Sequence, residues 1–127
     1  MGLDMYLNGR KNLWDRKRVE DGFTVNSVEI ELGYWRKHPN LHGFIVKTFA
    51  NGKDECQVIE LDEDKLKQLI TAVEQDRLIP TTGFFFGASD GSEKEGDLKI
   101  LNAALTWLNG VENKGDEYRT VYYQASW

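Results

Sequence analysis

Residues 28–42 read VEIELGYWRKHPNLH, and the two halves of this stretch carry different patterns. The first half alternates between two sides, with Val28, Ile30, Leu32 and Tyr34 on one side and Glu29, Glu31, Gly33 and Trp35 on the other. A period of two is typical of a half-buried strand. Pro39 then suits the first position of a helix, because its missing N–H needs no partner there. The stretch predicts a strand that leads directly into a helix.

The same patterns predict further elements on both sides of this stretch. Residues 3–7 form a strand with apolar residues on one face, Asn8-Gly9 ends it, a basic loop follows, and Asp21-Gly22 marks a turn. On the C-terminal side, the first helix ends at Gly52 and residues 56–61 form a short strand. Asp62 caps a second helix, whose apolar stripe consists of Leu66, Leu69, Ile70 and Val73.

The last third of the chain predicts a third helix and a terminal strand. The three phenylalanines at 84–86 favour either a strand buried on both faces or a loop whose rings fill two gaps. Ser92 and Glu95 fit a capping box at the start of the third helix, with Asp97 as an alternative cap. Residues 118–127 are rich in aromatic and β-branched side chains, which predicts a final strand with Trp127 packed against the core.

Strands and helices do not alternate strictly, so we expect an α+β domain with a mainly antiparallel sheet and about three helices. The length of 127 residues fits one domain, residues 1–127. The net charge of −5 disfavours nonspecific binding of nucleic acid. No apolar stretch approaches the roughly 20 residues that span a bilayer. The start has no secretory signal, and the lone Cys56 predicts a small buried side chain in a reducing, cytoplasmic compartment.

The segment that links the predicted strand to the first helix is the main candidate binding site. Arg36 and Lys37 lie beside the unpaired N–H groups of a helix start, which favours an anionic ligand. Trp35 could stack on a ring of that ligand, and the polar residues Asn40 and His42 follow it on the helix. The alternative places Trp35 in the core and leaves ordinary charges at a strand end.

Other chemistry-bearing residues give weaker patterns. The hydroxyls of Thr81 and Ser89 flank the phenylalanines and either face a ligand or cap turns. His38 and His42 are four residues apart, but Pro39 places His38 at the cap and no third ligand accompanies them, so no metal site is predicted. The chain carries no cofactor motif, so no cofactor is expected. No sequence pattern indicates that His42 and Cys56 meet to form a catalytic nucleophile and its base.

Several blocks of sequence together resemble a family of small uncharacterised phage and prophage proteins. The blocks are MGLDMYL at residues 1–7, GYWRK at 33–37 with Asn40 and His42, LIPT at 78–81 with GFFFG at 83–87, and the ending YQASW at 123–127. The resemblance implies a phage accessory protein in the cytoplasm of a bacterial host, and it implies no activity. Family members carry further aromatic residues after the phenylalanines, whereas residues 89–95 here have none. If those aromatic residues line a pocket in family members, this departure implies a different pocket or partner here.

Three functions follow as hypotheses. The first is a binding protein that holds an anionic or nucleotide-like small molecule or a host protein, with antagonism of host defence as one setting. Its expected ligand-binding residues are Trp35, Arg36, Lys37, Asn40, His42, Thr81 and Ser89. The second is a small hydrolase or transferase for a phosphorylated or acylated substrate, with His42 as the acid–base group. The third is a protein–protein adaptor without a small-molecule pocket.

Overall fold

The computed structural model describes residues 2–13, 18–78, 80, 81, 89, 91–110 and 117–127. Its elements in chain order are β1 (Asp4–Leu13), β2 (Arg18–Glu20), β3 (Phe23–Val25), β4 (Ser27–Arg36), α1 (Pro39–Phe49), β5 (Ile59–Glu60), α2 (Glu63–Glu74), α3 (Lys94–Asn109) and β6 (Glu117–Ser126). None of the helices in these ranges is long and apolar enough to cross a membrane. The interpretation of the phenylalanines at 84–86 falls outside the described residues.

The main sheet has the strand order β4-β1-β6-β5, and each pair of neighbours is antiparallel. The small hairpin β2–β3 continues from β1 and β4 around Asp21 and Gly22, whose φ angles of 53° and 83° suit a tight two-residue turn. The prediction of one α+β domain with a mainly antiparallel sheet and about three helices is confirmed, as is the turn at Asp21-Gly22.

The core lies between one face of the sheet and the three helices of the described chain. Met5 and Leu7 of β1 point into it together with Val121, Tyr123 and Ala125 of β6. The helices contribute the buried side chains Leu41 and Ile45 from α1, Leu66, Leu69, Ile70 and Val73 from α2, and Leu101 and Ala104 from α3. The opposite face of the sheet has no helix on it in the described chain, and we call it the open face.

A β-bulge in β4 reverses the side on which its last residues point. Leu7 pairs with Gly33 and Asn8 pairs with Glu31, so Leu32 is an extra residue without a partner in β1. One extra residue moves all later side chains to the other face. Trp35 is therefore buried, with 8% of its surface exposed, and Tyr34 is 43% exposed. The simple alternation, which placed Tyr34 with Leu32 and opposite Trp35, is wrong beyond the bulge.

Helix α3 crosses β4 at Gly33, where no side chain would fit. A Cβ on Gly33 would overlap the side chain of Ile100. Glycine is therefore required at this position because it allows the helix and the strand to approach each other closely. This contact fixes the start of α3 near the end of β4, where the candidate site lies.

The predicted helix starts are right at two places and wrong at the third. Pro39 occupies the first turn of α1, and the Asp62 carboxylate accepts a hydrogen bond from the Lys65 N–H at 2.8 Å, as expected for an N-cap. The capping box at α3 is wrong, because Glu93 holds the cap position and its side chain makes no capping bond to the helix. The side chain of Asp97 is instead bonded to two residues outside the helix.

Several boundaries also differ from the patterns. Asn8-Gly9 does not end β1, which runs on through Arg10 and Lys11 to Leu13, so these two bases lie in a strand and not in a loop. Helix α1 ends at Phe49, short of Gly52, and only Ile59–Glu60 of the expected strand at 56–61 pairs with β6. Cys56 is half-buried, not fully buried.

The final strand is confirmed, and it lies inside the sheet between β1 and β5. Trp127 is partly buried against the core, and its ring meets the His42 ring edge-on with 5.7 Å between the centroids.

We expect deletion of residues 125–127 to lower the melting temperature by several degrees, because it removes buried aromatic surface and the end of a central strand. Thermal unfolding followed by circular dichroism tests this. Substitution of the exposed Ser126 by alanine serves as the control and should leave the melting temperature unchanged. An unchanged melting temperature for the deletion would contradict the packing of Trp127 against the core.

Candidate functional site

The chain turns sharply between β4 and α1, and this turn brings His38 into the interior. Lys37 adopts a left-handed conformation with φ of 55°, and its N–H donates to the Leu3 carbonyl at 2.7 Å. His38 then holds the cap position of α1, yet its side chain makes no capping bond to the helix. Only 3% of its surface is exposed, so its ring nitrogens need partners inside the protein.

Both ring nitrogens of His38 have partners from distant parts of the chain. Nδ1 lies 2.7 Å from the Ser89 hydroxyl, and Nε2 lies 2.7 Å from Oδ2 of Asp97. The other oxygen of Asp97 accepts a hydrogen bond from Trp35 Nε1 at 2.8 Å. Asp97 is 1% exposed. These four residues form a continuous chain of hydrogen bonds, buried except at the partly exposed Ser89, and we call it the His38 chain.

The hydrogen-bond partners of His38 favour one tautomer of the neutral imidazole. The Ser89 hydroxyl oxygen accepts the N–H of Asn40 at 3.2 Å, so the hydroxyl can donate its own proton to Nδ1 of His38. The neutral imidazole then carries its proton on Nε2 and donates it to Asp97. The arrangement therefore runs from hydroxyl to imidazole to carboxylate, and each proton points towards the carboxylate.

A cavity of about 180 Å³ opens beside this chain, between the starts of α1 and α3 and the end of α2. His38, Asn40 and Ser89 contribute to its lining, and Asp76, Glu93 and Lys94 contribute charged groups. Lys94 lies 3.2 Å from the Asp76 carboxylate. The cavity therefore combines preformed hydrogen-bonding groups with an acidic lining that contains one lysine among the described residues.

The structure brings some of the expected site residues together and separates others. Asn40 and Ser89 line the cavity, and the backbone N–H of Thr81 donates to Oδ1 of Asn40 at 2.9 Å. Trp35 is buried behind the cavity and is held by Asp97, so its ring is not available for stacking on a ligand. Lys37 is exposed and is not among the cavity-lining residues.

Arg36 lies on the open face of the sheet, away from the His38 chain. Its guanidinium lies 3.0 Å from the Asp4 carboxylate, and the Tyr34 hydroxyl donates to the same carboxylate at 2.5 Å. The hydrogen bond with Tyr34 and the charge of Asp4 raise the pKa of Arg36. Arg36 is thus part of a surface cluster with its own partners.

His42 repeats the chemistry of His38 one turn later on α1. Its Nδ1 lies 2.6 Å from the Tyr123 hydroxyl, and its Nε2 lies 2.9 Å from the Asp54 carboxylate. Burial raises the pKa of Tyr123, so the phenol keeps its proton and donates it to His42. The ring is 2% exposed and is not among the cavity-lining residues.

The two histidines do not form a metal site with each other. All four of their ring nitrogens are already engaged by Ser89, Asp97, Tyr123 and Asp54. Within the described part of the chain, no group of three histidine, cysteine, aspartate or glutamate residues is arranged to hold a metal ion.

His38 and Asp97 are the site residues that the sequence patterns missed. They are 59 positions apart, so no local spacing connects them. One signal did exist, because Asp97 precedes Leu101 by four residues and Ala104 by seven, which places a carboxylate on the buried face of α3. A carboxylate on a buried face needs a partner, and His38 supplies it.

Comparison with known proteins finds no relative of this chain: no protein-family model, no curated protein and no solved structure matches it. The geometry of the site and the sequence blocks described above are therefore the two indications of function.

Replacement of Asp97 by alanine should destabilise the fold strongly. It leaves the Trp35 indole N–H and the His38 Nε2–H buried without an acceptor, and we expect the free energy of unfolding to fall by about 3–5 kcal/mol. Urea denaturation measures this change. Asp76→Ala is the matched control, because its side chain is 78% exposed and its ion pair with Lys94 contributes at most about 1 kcal/mol. Equal effects of the two substitutions would contradict a structural role for the His38 chain.

Proposed function

We propose that this chain is a phage accessory binding protein of the bacterial cytoplasm, and that it holds a small polar ligand in the cavity beside the His38 chain. The observation that carries the proposal is a cavity whose polar lining is already ordered. Ser89 is held by His38 and by the Asn40 N–H, and the Asn40 side chain is held by the Thr81 N–H. Groups that are ordered before binding lose little conformational entropy when the ligand arrives.

The size and charge of the cavity restrict the ligand. Its volume of about 180 Å³ is below the roughly 300–1,000 Å³ of sites that enclose a drug-sized molecule. An anionic group can meet Lys94, whereas Asp76 and Glu93 oppose a second negative charge. These features favour a compact ligand with one anionic or polar group, or one end of a longer nucleotide-like molecule. Removal of such a molecule from a host defence system is the biological setting that we propose.

A titration with a panel of small carboxylates, inorganic phosphate and nucleoside monophosphates tests this proposal. We expect Asn40→Ala to weaken the binding of the best panel member by about tenfold or more, because it removes a lining amide. Arg36→Ala is the control and should leave the affinity unchanged, since Arg36 lies on the open face. Calorimetric titration measures both. A loss of binding only in Arg36→Ala, or no binding by any panel member, would contradict the cavity as the site.

The order of groups in the His38 chain favours an enzyme as the second candidate function. A hydroxyl, an imidazole and a carboxylate in sequence are the parts of a serine nucleophile, and such arrangements are recognised by geometry on unrelated folds. Here Nδ1 of His38 faces the hydroxyl and Nε2 faces the carboxylate, the reverse of the usual use of the ring. The general base in this candidate is His38. His42 is not among the cavity-lining residues, and its Nδ1 faces the buried Tyr123 hydroxyl and not a serine.

The reaction in this second candidate is transfer of an acyl group from an ester. Oγ of Ser89 attacks the carbonyl carbon while its proton moves to Nδ1 of His38, and the carbonyl electron pair moves onto oxygen. When the tetrahedral intermediate collapses, the alcohol leaves with the proton from His38 and an acyl-serine remains. Water then repeats the two steps, releases the acid and restores the Ser89 hydroxyl.

Labelling with a fluorophosphonate distinguishes the enzyme from the binding protein. We expect one adduct on Ser89, located by peptide mass spectrometry, together with slow hydrolysis of p-nitrophenyl acetate, because His38 accepts the hydroxyl proton. Both should disappear in Ser89→Ala and persist in Ser92→Ala. No adduct on the wild type, or the same hydrolysis rate in Ser89→Ala, would exclude the enzyme and leave the binding protein.

A further inference from the structure

The open face of the sheet is rich in tyrosine. Four of the five tyrosines in the chain point to it, and only Tyr123 points into the core. The four are Tyr6, Tyr34, Tyr118 and Tyr122. Tyr34 is 43% exposed and Tyr118 is 53% exposed. Tyrosine on a flat exposed surface is typical of protein-binding sites, because it offers a large amphipathic area with few rotatable bonds.

Hydrogen bonds hold several of these side chains in place. Glu29 accepts from the Tyr122 hydroxyl and from the Arg10 guanidinium, each at 2.6 Å. These two bonds lower the pKa of Glu29, so its carboxylate stays ionised at neutral pH. The Arg10 guanidinium also lies 5.4 Å from the centre of the Tyr122 ring. The surface is therefore ordered before any partner binds, which reduces the entropic cost of association.

The charges on the open face favour a basic partner. Two ion pairs, Arg10 with Glu29 and Arg36 with Asp4, are neutral in sum. Two further carboxylates, Glu31 and Glu60, lie on the same face. The Lys65 ammonium donates to the backbone carbonyl oxygen of Glu60 at 3.4 Å and not to its carboxylate. The remaining negative charge opposes nucleic acid and attracts lysine or arginine.

Glu31 and Glu60 stand at opposite ends of one row across the sheet. Glu31 pairs with Asn8, Asn8 pairs with Tyr122, and Tyr122 pairs with Glu60. Three interstrand steps separate the ends of the row by about 14 Å. Two residues four apart in an extended chain point the same way and lie about 13 Å apart. An extended segment that crosses the strands can thus place one basic side chain over each carboxylate.

A depression of about 310 Å³ adjoins this row. Its lining includes Tyr122, Glu60, Thr120 and Val58, and Val58 is 56% exposed. The volume falls within the range of sites that enclose a side chain or small ligand, roughly 300–1,000 Å³. An apolar side chain midway between the two basic residues of the segment would lie beside the Tyr122 ring, which lines this depression.

We propose that the open face is a docking surface for an extended basic segment of a partner protein. The segment crosses the four strands along the Glu31–Glu60 row, with lysine or arginine at positions i and i+4 and an apolar residue at i+2. This surface lies on the other side of the sheet from the cavity beside His38, so docking here is independent of the ligand proposed there.

A fluorescent nine-residue peptide with a central lysine-threonine-leucine-threonine-lysine sequence tests this surface by anisotropy titration. We expect saturable binding that weakens with salt, and the double charge reversal Glu31→Lys with Glu60→Lys should weaken it by about tenfold or more. Glu74→Lys, an exposed acid on α2, is the control and should leave the affinity for this peptide unchanged.

Three further probes test the specificity of this surface. A peptide with the lysines three apart, which point to opposite sides of an extended chain, should bind more weakly. A glutamate version and a single-stranded oligonucleotide should not bind. The proposal is overturned if the first peptide does not bind, if the oligonucleotide binds as well, or if the charge reversal has no effect. The member of the carboxylate, phosphate and nucleotide panel that binds best to the cavity should bind the charge-reversed protein with unchanged affinity, so failure of one site is distinguishable from failure of the other.

Discussion

The buried imidazole of His38 places a constraint on the whole region around it. An imidazole that is 3% exposed needs a partner at each nitrogen, because a buried polar atom without one costs about 1–3 kcal/mol. The partners are Ser89, before α3, and Asp97, in its first turn. Asp97 in turn requires the indole of Trp35 at the end of β4. The end of β4, the start of α1 and the start of α3 are therefore held in one arrangement, and the cavity is the space that this arrangement leaves.

The bulge at Leu32 makes this arrangement available. Without the extra residue, the strand parity would turn Trp35 to the open face, and Asp97 would lose the donor for one of its oxygens. The same bulge turns Tyr34 outward, where its hydroxyl meets Asp4 beside Arg36. One inserted residue thus assigns Trp35 to the buried His38 chain and Tyr34 to the open face. The cavity and the open face share this structural origin although their chemistries differ.

The two surfaces differ in ways that suit different partners. The cavity is small, lies between helices and is lined by hydrogen-bonding groups that are already engaged. The open face is broad and aromatic, and the acids at both ends of its central row are about 14 Å apart. The sheet separates the two sites. The ligand proposed for the cavity and the partner proposed for the open face can therefore occupy one molecule at the same time.

Much of the fold and part of the site were predictable from the sequence. The terminal strand, the starts of α1 at Pro39 and of α2 at Asp62, and the α+β class all depend on residues a few positions apart, and these predictions are confirmed. Asn40 and Ser89 were also among the expected site residues, and both line the cavity. Local patterns suffice for such features, because helix periodicity, capping and strand alternation arise from interactions between near neighbours.

Tertiary structure alone decided which residues meet. The register shift beside Leu32 depends on the pairing of β4 with β1, and the sequence of β4 alone does not predict it. The pairing of His38 with Asp97 joins positions 59 apart in the sequence. The spacing of four between His38 and His42 is typical of two side chains that share one site, but the two rings have different hydrogen-bond partners. Sequence by itself determined the elements and their order in the chain. Strand register and long-range hydrogen bonds determined which side chains became site, core or surface, because both depend on partners that lie far away in the sequence.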